Sequence, residues 1–513
     1  MSKIGALFHN EIIKMRKRVS VLVITVIMIA AIIGISGLIK LEDVRFDSGY
    51  DTYPSYDMYG SDLAGTKDYL EQLETEITAA KEKGDTENLM YLYNEKIYNL
   101  TYCAILELRI DYTDTGSSDF RSDLIDGLSV YLEKINQYTV MEEAFPGTQD
   151  KAEYASAQQT VTALTEILKQ QDYAGYVEYS KDLIRSMTDI SQEEKELLLE
   201  KWDILLKLDP TGGIGDDREE SRTEYARNAA NTVESLAKTI IYERDFTNGA
   251  NGTGSVTPKQ LEDCKDTLAT VRYCIDNGIE IFNADGSMAS AAYSLVSSIA
   301  NSLITLLLII LAGAIISNEI ATGSIKSLII APVRRWKIFT AKLLALLSVA
   351  TALMLVKYIC IVGTQSLFWP DAILPYVYAS SGTAHSMNYY LYQLLYCFAE
   401  LMPIFMVAVF ALMLSATTRN TALSVGLSMG IYFGGSVAAS ILNVFSSGEW
   451  LKFIPFNNMD LADKLFSMSA LTPNYGNVSM PGSTSALFTL VYIIVLSLCM
   501  LYIAFDSFTR RDI

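Results

Sequence analysis

Six uninterrupted apolar runs, near residues 19–39, 294–316, 339–362, 393–416, 421–444 and 485–507, constrain this chain more than any other feature. An α-helix rises about 1.5 Å per residue and a bilayer core is about 30 Å thick, so about 20 apolar residues cross it. Each run reaches that length, which predicts an all-α polytopic membrane protein with six transmembrane helices. The first run, "VSVLVITVIMIAAIIGISGLI", follows Lys14, Arg16, Lys17 and Arg18. It is too long for a cleaved signal peptide and lacks a small-residue exit, so it reads as an uncleaved signal anchor.

Charge divides the rest of the chain. Residues 41–290 hold 50 of the 59 acidic residues and 23 of the 40 basic ones. An acidic domain is thus inserted between spans one and two of a basic, apolar chain. A large acidic domain repels phosphates, which excludes nucleic acid as a partner. Orientation follows from Lys and Arg in the short flanks. The N-terminus, the 317–338 loop, Arg419 between spans four and five, and the 508–513 tail are basic, whereas residues 364–392 hold no Lys or Arg. Both termini are therefore expected inside, with 41–290, 363–392 and 445–484 outside.

The inserted domain reads as mainly helical, with apolar positions every three or four residues, as at Leu70, Leu73 and Ile77. "SQEE" at 191–194 is a capping box, and "TPKQ" puts Thr257 at an N-cap with Pro258 at the first helical position. "DPTGGIGDD" (209–217) and "FTNGANGTGSVTP" (246–258) read as surface loops or hinges. Cys264 and Cys274 share one helical pattern and would stand roughly 15 Å apart, too far to bridge. A bond from Cys103 to either stays open beside the alternative of reduced core thiols.

Catalytic chemistry is missing. There is no Gly-Lys dipeptide and hence no P-loop, and no His-Glu-x-x-His; the one Gly-x-Ser-x-Gly, Gly426 to Gly430, lies inside the fifth apolar run and not at a strand-to-helix elbow. His9 and His385 are the only histidines, which excludes a His-rich metal site. The chain is not expected to be an enzyme or to hold a cofactor. Ionisable residues inside spans are costly and mark function. Glu400, three residues before the helix-distorting Pro403, is a candidate for the translocation path or for a helix-helix hydrogen bond. Lys357 is expected to snorkel to the outer interface, and Asp506 to be solvated or paired with Arg510. Gly426, Gly430 and Gly434 form a doubled G-x-x-x-G that would pack another helix, within the chain or from a second subunit.

Residues 1–18, "MSKIGALFHNEIIKMRKR", place Ile4, Leu7, Phe8, Ile12 and Met15 on one helical face, with Lys14, Arg16 and Lys17 largely off it. That pattern predicts an interfacial helix favoured by anionic membrane lipids. After span two, "SNEIATGSIKSLIIAPVRRWKIFTAKLLA" predicts a short helix with Ile325, Leu328 and Ile329 as an apolar stripe, ended by Pro332. The order of an amphipathic helix with Glu11, a long insertion after span one, Glu319, Gly323, Ser324, Pro332, Arg334 or Arg335, and Lys342 resembles the permease subunits of ABC-2 type exporters. The resemblance covers about half the chain. The insertion after span one also resembles that of the sodium-exporter-like branch, though it offers no motif that carries a substrate over.

That resemblance implies a bacterial plasma-membrane permease. Its 317–338 hairpin, including Lys326 and Leu328, would dock on a separate ATPase subunit that binds ATP and magnesium. A second permease subunit would complete the path. The exported substrate stays open among a peptide, a drug, a lipid-like molecule and a cation. Two other readings compete: a membrane-anchored sensor or scaffold whose outer domain binds a ligand, and an ion-coupled transporter, which would want more intramembrane carboxylates and an inverted repeat.

Overall fold

The computed structural model describes residues 3–47, 58–113, 119–214, 217–246, 253–279, 284–322, 334–445, 448–466 and 484–510. The chain forms two units, one of Met1–Ser48 with Ala284–Ile513 and one of Gly49–Asn283. The first contains α1 (Lys3–Arg16) and α2 (Val19–Asp47). The second comprises α3 (Met58–Lys83), α4 (Thr86–Tyr112), α5 (Phe120–Ala144), α6 (Lys151–Gln170), α7 (Tyr173–Ser186), α8 (Gln192–Leu208), α9 (Asp217–Tyr242) and α10 (Pro258–Asn277). Back in the first lie α11 (Ala284–Ile315), α12 (Ser317–Ala321), α13 (Arg335–Phe368), α14 (Tyr389–Thr418), α15 (Thr421–Phe445), α16 (Leu461–Leu465) and α17 (Ala486–Arg510).

Six helices of the first unit are long and apolar enough to cross a membrane. The third and fourth overrun their apolar runs at both ends, as Arg335–Phe368 against 339–362 and Tyr389–Thr418 against 393–416. Helix α11 and helix α14 form its centre. Their apolar windows are 67% buried, against 11% for α15 and α17, whose large outward faces suit lipid or another chain. The core gathers Leu307, Leu308, Leu311, Leu346, Ala408 and Leu412. Small residues allow the close approaches. A Cβ on Gly313 would come within 2.7 Å of Val425, and one on Gly435 within 2.1 Å of Phe456.

Residues 363–392 are more ordered than the expected loop. Strands β3 (Tyr376–Ser380) and β4 (Thr383–Met387) pair antiparallel, with Val377 opposite Ser386. Ser381 (φ 54) and Gly382 (φ 78) both take positive φ, as a two-residue turn between right-twisted strands requires. A second short pair, β1 (Arg244–Asp245) with β2 (Thr253–Ser255), spans the expected 246–258 loop. Helices otherwise make up the described regular structure.

The second unit is helical, as its periodicity predicts. Leu73, Ile77, Leu92 and Ile97 join α3 to α4, and Val140 of α5 packs onto them. Phe120, Leu128, Leu168 and Val177 join α5, α6 and α7; Leu197, Ile204, Ala229, Val233 and Val271 join α8, α9 and α10. Ser191 accepts from Glu194 N at 3.1 Å, and Thr257 with Gln260 closes a reciprocal capping box. All six cysteines are free thiols. Burial pushes the Cys274 thiol up to about 12.

"DPTGGIGDD" is a packed turn over its described part, not a surface hinge. Asp209 is 2% exposed. Its carboxylate accepts from Gly212 N (3.0 Å) and from the Thr211 and Thr223 hydroxyls (2.7 Å each). Phe120 N then donates to Gly212 O at 2.8 Å, clamping the turn onto the start of α5.

On α9, Glu234 accepts from Lys201 and from Lys238, each at 2.7 Å. Burial works to raise this carboxyl, but the two hydrogen-bonded ammonium groups outweigh it and hold the group below its ordinary value. A depressed carboxyl stabilises the fold above the unfolded-state pKa, and that stability is lost as pH falls through the folded value. The unfolding midpoint of the full chain should therefore drop on acidification below the ordinary glutamate range. In Glu234→Gln that part of the slope should be absent in a pH series of thermal melts.

Candidate functional site

Two features of the membrane unit bring charge and polarity together. The first lies where α1, α12 and α13 meet. Leu7, Phe8, Ile12 and Met15 seat α1 against the helical core, leaving Glu11 buried beneath it. Lys342, about two turns into α13 and 1% exposed, meets Glu319 at 2.8 Å and Glu11 at 3.3 Å. Lys14 bridges the same carboxylates, at 3.0 Å from each. Two acids and two bases thus form a neutral node. Burial pulls the Lys14 ammonium down, and its hydrogen bonds to Glu11 and Glu319 more than offset that, raising it above its ordinary value.

The node sits beside a break in the second span. The helix stops at Ile315 and restarts at Ser317. The Ser415 hydroxyl accepts from Ile316 N (3.3 Å) and Ser317 N (3.0 Å), so the interrupted backbone keeps its partners. Ser424 donates to Gly313 O at 2.6 Å from the neighbouring helix α15. Gly323, Ser324, Lys326, Leu328 and Pro332 lie outside the described residues. Arg334 precedes α13, and Arg335 donates to Thr509 O at 3.2 Å, tying α13 to the end of α17. Arg16 and Lys17 are exposed and Arg18 is half-buried. Asp506 pairs with Arg510 at 2.8 Å.

The second feature is a cavity of about 550 Å³ between α11, α14 and the segment around α16. Helix α11 supplies Ser294, Ser297, Ser298, Asn301, Ser302 and Thr305. These recur at three- and four-residue steps and form one polar stripe along an otherwise apolar span. The sequence reading missed it because it weighed only ionisable residues. Small hydroxyl and amide side chains barely lower the mean hydropathy of such a run.

Glu400 and Pro403 line the same cavity from α14. One Glu400 oxygen accepts from Asn301 at 2.7 Å and Ser297 at 3.1 Å; the other meets Lys357 Nζ at 2.6 Å. Lys357 also donates to Asn301 Oδ1 at 2.7 Å. It does not snorkel: it is fully buried, because a carboxylate and an amide oxygen inside the bundle replace the water it would otherwise reach. Glu400 therefore both lines the cavity and cross-links α11, α13 and α14. Gly426, Gly430 and Gly434 are exposed and pack against no other described element. No atom of another described element lies within 4 Å of a Cβ built on any of them.

The arrangement defines a six-helix membrane protein with a polar cavity among its spans. Residues 264–513 match a family described as a protein of unknown function, DUF2705. The chain is similar to "Uncharacterized protein YhcI" of Bacillus subtilis (strain 168), 28% identical over 262 residues, covering 50% of this chain and 78% of that protein. It is also similar to "Uncharacterized membrane protein YdbK" of the same organism, 26% identical over 213 residues, covering 42% and 79%. No solved structure matches.

Proposed function

We propose that this chain is the permease subunit of an ATP-driven exporter of the ABC-2 type, with ATP and magnesium bound by a separate ATPase subunit. The observation that carries the reading is the charge node. It links the N-terminal helix, the end of the second span and the start of the third through Glu11, Lys14, Glu319 and Lys342. Force applied to the loop after Glu319 would reach three elements at once. Both termini are inside, the Gly49–Asn283 unit lies outside, and a second permease subunit covers the Gly426, Gly430 and Gly434 face. Anionic lipid on the inner leaflet receives Arg16 and Lys17. The polar cavity is the place a solute would occupy between the spans.

The test is a mild-detergent pull-down of the tagged chain from its native membrane, with mass spectrometry and an ATPase assay on the eluate. A P-loop ATPase is expected in roughly equal amount. Glu319→Ala combined with Gly323→Pro should leave the chain in the membrane and abolish substrate-stimulated hydrolysis. An eluate free of any ATPase, from protein that keeps its fold, would remove the permease reading and favour a sensor or scaffold.

A further inference from the structure

The walls of the cavity carry a chemical bias. Among the described residues that line it are Glu400, Asp460 and Asp463 and no Lys or Arg. Two of the three carboxylates are neutralised from behind, Glu400 by Lys357 and Asp460 by Lys464 at 2.7 Å. Asp463, which is exposed, has among the described residues only the Tyr396 hydroxyl, which donates to it. Around that pair the rings cluster: Tyr396 stands 6.3 Å from Phe466 and 5.9 Å from Tyr392, centroid to centroid. Tyr293, 6.1 Å from Tyr396, carries a buried hydroxyl with no hydrogen-bond partner among the described residues. A buried donor left unsatisfied is costly unless a ligand or water completes it.

We propose that this cavity binds an organic cation, with the positive charge held between Asp463 and the rings of Tyr396 and Phe466, which Tyr392 backs. Aromatic faces attract a cation through their quadrupole, and the attraction grows where water is excluded. The carboxylate supplies the net charge that Glu400 and Asp460 have already spent on their lysines. The stripe from Ser294 to Thr305 lines the same cavity and offers hydroxyl and amide groups to the polar part of the molecule. The Tyr293 hydroxyl can hydrogen-bond the same part. This inference rests on the permease reading for its role, and it narrows the exported substrate to a cationic, partly aromatic or aliphatic compound.

The experiment uses the full chain in phosphatidylcholine nanodiscs and two probes of one shape and opposite charge, tetraphenylphosphonium and tetraphenylborate, in equilibrium dialysis. Saturable binding of about one phosphonium per chain is expected, with no saturable binding of the borate. Asp463→Asn should weaken phosphonium binding at least about tenfold, and Ser298→Trp, which fills the cavity from α11, should abolish it. Either variant alone decides the matter if the other fails to give a monodisperse protein. Equal binding of both probes, uptake that only follows lipid partition, or unchanged binding in the variants would overturn the proposal. The pull-down separates the two failures. An ATPase partner without cation binding rejects this site and keeps the permease, and cation binding without an ATPase does the reverse.

Discussion

Lys357→Met should destabilise the membrane unit by about 3–5 kcal/mol, the usual cost of stranding one partner of a buried ion pair. Its Nζ lies 2.6 Å from Glu400 and is fully buried, so no water can take its place. Glu400 would either stay charged without a counterion or take up a proton, and both weaken the node that joins α11, α13 and α14. Thermal melts of the detergent-solubilised protein, read by size exclusion, measure the loss. The double variant Lys357→Met with Glu400→Gln should recover most of it, because the uncharged amide can still accept from Asn301 and Ser297. Equal instability of the single and double variants would mean that packing, rather than charge, makes Lys357 indispensable.

Lys342→Met should uncouple the N-terminal helix. Lys342 is 1% exposed, whereas Lys14, the remaining cation of the node, is 44% exposed on its side chain and weakly held by comparison. Without Lys342, Glu11 and Glu319 share one solvated ammonium and carry a net negative charge, again at a cost of about 3–5 kcal/mol to the local structure. Leu7, Phe8 and Ile12 keep their apolar contacts, so α1 should loosen and not leave. Amide exchange along residues 3–16 is expected to rise by an order of magnitude or more. Substrate-stimulated hydrolysis by the co-purified ATPase should fall at least about tenfold, while basal hydrolysis holds. Exchange that stays at the wild-type rate would show that apolar packing alone fixes α1.

Much of this molecule was legible in the chain itself. Long apolar runs had to become helices in a bilayer, and the three- and four-residue periods of residues 58–279 had to form a helical domain, because each pattern leaves one way to bury its apolar side chains. The caps at Ser191 and Thr257 were local and so were readable. Partners distant in sequence were not. The pairing of Lys357 with Glu400, and of Lys342 with Glu11 and Glu319, depends on which spans lie side by side, and hydropathy carries no record of that. The same reason hid the α11 stripe, since a hydroxyl in a span becomes a site only when a neighbouring helix stands away from it. It also separated Gly313, which needs the close approach of Val425, from Gly426, Gly430 and Gly434, whose motif was plain in sequence and which meet no other described element. The sequence by itself determined the number of spans, the inserted acidic domain and the elements that carry charge. Only the tertiary structure decided which charges neutralise one another and which are left facing a cavity, because in a low-dielectric interior that outcome turns on separations of a few ångströms.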